Sequence, residues 1–441
     1  MLKNYLTIPK NRLTNFWVGV KSSFWFIPLV IILSEVFLSF LLIFVEKSYY
    51  SSLPEDVWFY FSFSPESARS ILTVIGTSMM TVAGIVFSIT IVTLTTASSQ
   101  FGPRLVKEFM EQKINQIVLG SYVGTFIFCI MALTNIKVEG VEFAPNLATI
   151  VAICLAFLNI MLLVLFIHRT AISIQADTIV SRLNYEFTEQ LQKQFVEGER
   201  NVPQKGEAQS IKELEEYEIE QTVQNTRSGY IINFNYDILK EQAVENNLII
   251  KTLYRPGEYV LAGDGMFEVY SNVELEQNVL ERLRGQVFLG DFRSSDQDVE
   301  NALRKLVEVA CRALSPGIND PFTAIDCINK IGEGLRLALE NGLPDDYLFD
   351  DQGRLRLVIK NVDFPGLLNA GFHQIRQFGA NSPAVIIRMM EIINDLFELA
   401  ESDKDKEVLR DYATLVNKTG QQYFQLEEDK NDLEEIYNKI R

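Results

Sequence analysis

Histidine is almost missing from this chain: His168 and His373 are the only two in 441 residues. That inventory argues against a His-rich zinc centre or a His-based catalytic triad within one copy. The four cysteines, Cys129, Cys154, Cys311 and Cys327, have neither metal-ligand nor redox spacing and read as reduced structural thiols. No P-loop, zinc motif or nucleophile elbow occurs. The expectation is a protein that is not an enzyme and carries no metal or cofactor. The most telling lack is one of charge. From Ser70 to Ser99 thirty residues pass without one ionisable side chain.

That stretch is long enough to cross a bilayer, which takes roughly 20 apolar residues. It is also crowded with small hydroxylic residues, unlike an ordinary Leu-rich anchor. Ser70, Thr73, Thr77, Thr81, Gly84 and Ser88 follow one another at steps of three or four, and Thr95 and Ser98 resume the pattern after Ile91 and Val92. On a helix this spacing is a polar, small-residue stripe along one face. Such a face either packs closely on another helix, small residue against small residue, or lines a water-filled path.

Three further apolar runs read as spans, giving four at about 24–45, 70–99, 116–134 and 147–168. The first is interrupted only by Glu35. A carboxylate at that depth is costly, and it either faces a cavity or partner or serves as a hydrogen-bonded packing device. The first run is too long for a cleaved signal peptide, and no small-x-small site follows it. Lys3, Lys10, Arg12 and Lys21 precede the first span, and Arg104, Lys107 and Lys113 follow the second. The other two loops are poor in cations, so both termini are expected in the cytoplasm. Gln100–Arg104 marks where the second span leaves the membrane: Gly102 and Pro103 break the helix, and Arg104 snorkels to headgroups. With Lys107 and Lys113 the same segment forms a basic collar, and it is also a candidate hinge or gate.

Through Thr170 the chain has 11 Lys/Arg against 9 Asp/Glu, and beyond it 29 against 48, a net of −19. An acidic region of this kind argues against nucleic acid as a partner. Its organisation reads as a helix and linker over 171–215, a small antiparallel β-rich domain over 216–273 and a helical domain over 274–441. Residues 1–23 are a cytoplasmic tail and 24–170 the transmembrane domain. The fold class is therefore a four-helix membrane protein with a mixed α+β cytoplasmic region. Asp320 before Pro321 and Ser382 before Pro383 have the form of helix N-caps. Around the first, Pro316, Gly317, Asn319, Asp320, Pro321 and Thr323 read as a capped helix–helix corner. The rival reading is an anion site at a helix N-terminus. Asp296, Asp298, Asp320 and Asp326 are the acids a divalent metal would need, but they fall at helix ends where acids are expected anyway.

Six segments together carry a resemblance: TASSQFGPRLVKEFM, LGSYVGTFIFCIMAL, SGYIINFN, RPGEYV, RALSPGINDPFTAID and HQIRQFGANSPAV. They are similar to a bacterial family of predicted membrane proteins catalogued as a domain of unknown function, number twenty-two fifty-four. The resemblance implies a four-span protein of the bacterial inner membrane and supplies no activity. From the residues themselves two function classes stand. One is a homo-oligomeric channel, its pore lined by the second span and its partners membrane lipid and inorganic ions, with a lean to cations from the distributed acidity and Glu35. The other is a membrane-anchored sensor or scaffold whose cytoplasmic module binds a ligand or protein.

Overall fold

The computed structural model describes residues 24–49, 63–110, 112–136, 144–199, 214, 217–294 and 297–441. The N-terminal tail, most of the two expected outer loops and of the linker, and Asp296 lie outside the described residues. The chain divides into two compact units, Met1–Gln175 and Ala176–Arg441.

Among the described residues of the first unit four helices have the length and composition to cross a membrane: α1 (Phe26–Tyr49), α2 (Pro65–Phe101), α4 (Lys113–Leu133) and α5 (Asn146–Ser173). The short α3 (Pro103–Met110) follows α2 directly. Ser64 caps α2 through its side chain, accepting from the Ser67 amide, and Pro65 opens the helix where a missing N–H costs nothing. At 37 residues α2 is longer than a bilayer requires, and it ends at Gly102, whose φ of 118° no continuing helix can adopt.

Contact between α1 and α4 is the closest in this unit, and glycine makes it so. A Cβ at Gly120 would lie 2.8 Å from the Cα of Pro28, and one at Gly124 would lie 2.9 Å from the Cδ of Glu35. Gly120-Ser121-Tyr122-Val123-Gly124 is thus a small-xxx-small seam that lets two backbones approach. Because backbone opposes position 120, Gly120→Ala has no flexible side chain to push aside. It is expected to cost about 1–3 kcal/mol of overpacking, read as a lower melting temperature of the detergent-solubilised protein. A Gly84→Ala control, where open space surrounds the glycine, should melt no lower than the native chain.

The second unit opens on its own helix: α5 stops at Ser173 and α6 (Ala176–Glu199) starts a new unit within the expected helix and linker 171–215. Its Ile179, Val180, Leu183, Phe187 and Leu191 are buried, and Phe187 lies against Gly334. The strands follow as β1 (Ile219–Gln224), β2 (Gly229–Phe234), β3 (Ile249–Thr252), β4 (Tyr259–Val260) and β5 (Gly265–Ser271), with helix α7 (Tyr236–Glu245) between β2 and β3. Beyond α8 (Gln277–Arg284) comes β6 (Val287–Gly290), and later β7 (Tyr347–Phe349) and β8 (Leu355–Val358). These strands correct the expected boundary at 273. They complete a five-stranded sheet of order β1-β5-β3-β8-β7 and a three-stranded sheet of order β4-β2-β6. The β3–β8 pair is parallel, with Ile250 opposite Leu357, so the sheet is mixed rather than antiparallel.

The remaining helices are α9 (Val299–Ala313), α10 (Pro321–Asn341), α11 (Phe364–Phe378), α12 (Pro383–Leu399), α13 (Asp403–Tyr423) and α14 (Glu427–Ile440). The apolar faces legible in the sequence are the buried ones: Val299, Leu303, Leu306, Val307 and Ala310 on α9, and Val385, Ile386, Met389, Met390, Ile393 and Leu396 on α12. Asp320 caps α10 through its side chain, whereas Ser382 stands at the N-cap of α12 without a side-chain cap bond.

Candidate functional site

The second span turns one face to its own chain. Ala68, Leu72, Gly76, Met79, Ala83, Val86, Thr90 and Ala97 of α2 are buried, at intervals of three, four and seven. The hydroxylic stripe lies about half a helical turn away. Ser70, Thr73, Thr77, Thr81, Gly84, Ser88 and Thr95 are exposed and Ser98 is half-buried. No atom approaches within 4 Å of where a Cβ at Gly84 would stand. The stripe therefore packs on none of the other three membrane helices of its own chain. Exposed Val74, Met80, Ile85 and Phe87 flank it on both sides.

Several stripe hydroxyls are already donors. Thr81 Oγ1 donates to the Thr77 carbonyl (2.9 Å) and Thr95 Oγ1 to the Val92 carbonyl (2.8 Å). A threonine bonded back to its own helix needs no water for its proton. What it still offers outward is oxygen lone pairs.

Glu35 is elsewhere. It is buried between α1, α4 and α5, where Thr125 Oγ1 donates to Glu35 Oε2 at 3.0 Å. Asn159 Nδ2 donates to Thr125 Oγ1 at 2.9 Å, and Tyr122 OH donates to the Asn159 carbonyl at 2.8 Å. Of the two readings of Glu35, an acid facing a cavity or partner and a hydrogen-bonded packing device, this burial within its own chain matches the second. Glu46, on the same face of α1, accepts from the amides of Asn146 (2.6 Å) and Leu147 (3.4 Å). It caps the start of α5 with a carboxylate, the sign the helix dipole favours there. Thr125, Asn159 and Tyr122 were not singled out by sequence reasoning. The signal for Asn159 was available: it is the single amide in the nearly all-apolar run Leu147–Ile167.

The remaining sequence candidates separate by position. Gly102 and Pro103 form the α2–α3 break, Arg104 and Lys113 are exposed, and Lys107 sits on α3 with its side chain outside the described residues. Leu105 and Phe109 are buried, so α3 has its apolar face turned into the unit.

Pro316, Gly317 and Asn319 are exposed in the α9–α10 corner, where Asn319 has a φ of 51°. Asp320 Oδ1 accepts from the Thr323 amide (3.2 Å) and Oδ2 from the Thr323 hydroxyl (2.5 Å), with Pro321 at the first helical position. The chain's own carboxylate thus takes the place an anion would need. Burial first, then Asp177 and Asp320, raise the pKa of Asp326, and this local negative field opposes anion binding further. Among the described residues no group of His, Cys, Asp or Glu is arranged to hold a metal ion. Asp298 is committed instead to Arg293, 2.6 Å away, and to the α9 cap.

The second unit contains a cleft of about 470 Å³, within the range of small-ligand pockets. Asn233, Tyr236, Lys240, Arg255, Glu300 and Lys360 are on its walls. Arg255 pairs with Glu300 at 2.6 Å and Lys360 with Glu258 at 3.1 Å, while Lys240 has no partner among the described residues.

Comparison with known proteins supplies the family. The profile of the predicted membrane proteins designated DUF2254 matches residues 21–395. The chain belongs to that family. Its relatives include uncharacterized protein Rv1290c of Mycobacterium tuberculosis, 28% identical over 381 residues, covering 84% of this chain and 71% of the relative. Uncharacterized protein Mb1321c of Mycobacterium bovis matches with the same identity and coverage. No solved structure matches. Membership in DUF2254 agrees with the four apolar helices, and it brings no chemistry for the stripe, the buried acid or the cleft.

Proposed function

We propose that this DUF2254 protein is the subunit of a homo-oligomeric, channel-like protein of the bacterial inner membrane, with both termini and the second unit in the cytoplasm. One observation carries the reading: the hydroxylic face of α2 is left uncovered by the chain's other membrane helices. Copies arranged with that face inward would surround a path lined by Ser, Thr and Gly. Rows of hydroxyls replace part of an ion's hydration without trapping it. With Thr81 and Thr95 donating to their own backbone, the lining presents acceptor oxygens, which suits cations. The acidity beyond Thr170 adds to that preference by raising cation concentration at the inner mouth, an effect reaching over a Debye length of about 8 Å. Arg104 and Lys113 oppose it locally.

The test is electrical. Purified protein in planar bilayers with asymmetric KCl is expected to show a reversal potential on the potassium side. A chloride preference abolished by Arg104→Glu would overturn the sign and move selectivity to the collar. Absence of any conductance across voltage, tension and salt would favour the second reading, a membrane-anchored sensor. The cleft in the second unit is the observation on that side.

A further inference from the structure

The pore makes no use of the cleft in the second unit, whose walls come entirely from that unit. Its apolar lining includes buried Phe234, Leu348, Ile359 and Val362. Most of its polar groups are already committed. Glu300 pairs with Arg255 at 2.6 Å, Asp298 with Arg293 at 2.6 Å and Lys360 with Glu258 at 3.1 Å. Gln297 uses both ends of its amide on the Phe234 backbone, at 3.0 and 3.2 Å. Asn235 caps α7 by accepting from the Ile238 amide, and Asn361 donates to the Asp345 carbonyl.

Lys240 and Asn233 differ from these. Lys240, on α7, is half-buried and has no ion-pair partner among the described residues. Asn233 Oδ1 is buried and lacks a donor among the described residues. A buried amide oxygen in that state is costly, and turning the amide over to meet a ligand N–H breaks no bond at that atom. Phe288 stands opposite Asn233 in the β2–β6 ladder. Directly opposed residues share a face of the sheet, so an aromatic ring and an unmatched amide sit side by side on the cleft wall.

We propose that the cleft binds a small ligand with a planar hydrogen-bonding ring and a single negative charge, the chemistry of a nucleoside cyclic monophosphate. The base stacks on Phe288 and turns an edge N–H to the Asn233 amide, while Lys240 meets the phosphate charge. The charge count sets the single charge. Lys193, Lys240, Arg255 and Lys360 line the cleft against Asp237, Asp298, Glu300 and Asp345. Lys193 is taken by Glu189 at 3.0 Å, which leaves one lysine uncommitted. A polyanion such as ATP would bring several charges to one lysine among four carboxylates, and like charges repel. The volume of about 470 Å³ suits a ligand of mononucleotide size. This site supplies the sensor reading with its ligand class, and it requires no conduction.

Equilibrium dialysis of the full-length, detergent-solubilised protein tests it without reading any current. The probes are cyclic AMP and cyclic GMP, with adenosine as the uncharged comparison and ATP as the polyanionic one. At least one cyclic nucleotide is expected to be retained, and at least tenfold more tightly than adenosine or ATP. Lys240→Ala should weaken it about tenfold or more, the loss that follows when one charged hydrogen bond is removed. The same variant should melt within about two degrees of the native chain, since Lys240 has no ion pair to lose. Phe288→Leu, which keeps the apolar volume but not the ring, should weaken the same ligand while leaving the fold in place. No retention of either cyclic nucleotide at about 1 mM, ATP or adenosine held as tightly, or an affinity unchanged in both variants overturns the proposal.

Discussion

Thr81→Trp should abolish ion flux through the reconstituted protein, with at least a tenfold loss, while Leu158→Trp leaves flux within a factor of two. Thr81 stands near the middle of α2 on the exposed hydroxylic face, one turn from Thr77 and close to Gly84. In the proposed symmetric oligomer every copy would contribute the same position, so one indole per subunit would fill the lumen several times over. Leu158 is exposed on α5, away from the stripe. Val82, which adjoins Thr81 in sequence, is not a usable control, because it packs against the cluster formed by Met79, Val86, Val118 and Tyr122. Potassium-dependent dye quenching in liposomes, with oligomeric state checked by mass photometry, measures the contrast. Equal flux in the two variants would place any path elsewhere than along α2.

Asp350→Ala is expected to destabilise the second unit by about 3–5 kcal/mol, the usual cost of leaving a buried charge without its partner. Arg356 on β8 is 1% exposed, and its Nε donates to Asp350 Oδ2 at 2.9 Å. Its Nη1 donates to Asn247 Oδ1 and the Leu248 carbonyl. Asp350 also accepts the amides of Gln352 (2.9 Å) and Arg354 (3.0 Å), which shape the β7–β8 turn. Burial alone would raise the Asp350 pKa, but the Arg354 amide, the Arg356 guanidinium and the Gln352 amide outweigh it. They hold the carboxyl at about 2. A depressed carboxyl stabilises the fold above its unfolded pKa, near 4, and loses that contribution as pH falls from about 4 to about 2. Thermal melts of the native chain should therefore weaken over that window, and Asp350→Ala should show a smaller pH dependence there. Asp350→Leu combined with Arg356→Leu should recover part of the loss, because an apolar pair leaves no charge stranded. A single variant melting within one degree of native would remove this pair from the account of the sheet.

Four apolar runs were legible because length and the absence of charge are one-dimensional properties. A chain that carries them has few ways to satisfy its backbone in lipid. The stripe on α2 was legible for a similar reason: helical periodicity alone puts Ser70, Thr77, Thr81 and Ser88 on one side. The apolar faces of α9 and α12 and the cap at Asp320 are local patterns of the same sort. Sequence spacing could not say which way the stripe points, since facing a neighbour and facing outward share a periodicity. That was decided by the opposite face, where Ala68, Leu72, Gly76 and Ala83 fit against the remaining helices. Glu35 was visible as an anomaly, but its partner Thr125, and Asn159 which bonds Thr125 in turn, lie 90 and 124 positions away, beyond any local pattern. The parallel β3–β8 pairing is likewise a long-range choice, made by burying Ile250 beside Leu357 and by tying Arg356 to Asn247 and the Leu248 carbonyl. Local chemistry thus determined the membrane helices and their amphipathic faces. Tertiary packing alone decided which polar groups meet inside the chain and which are left outward, because burial is a property of neighbours and not of spacing.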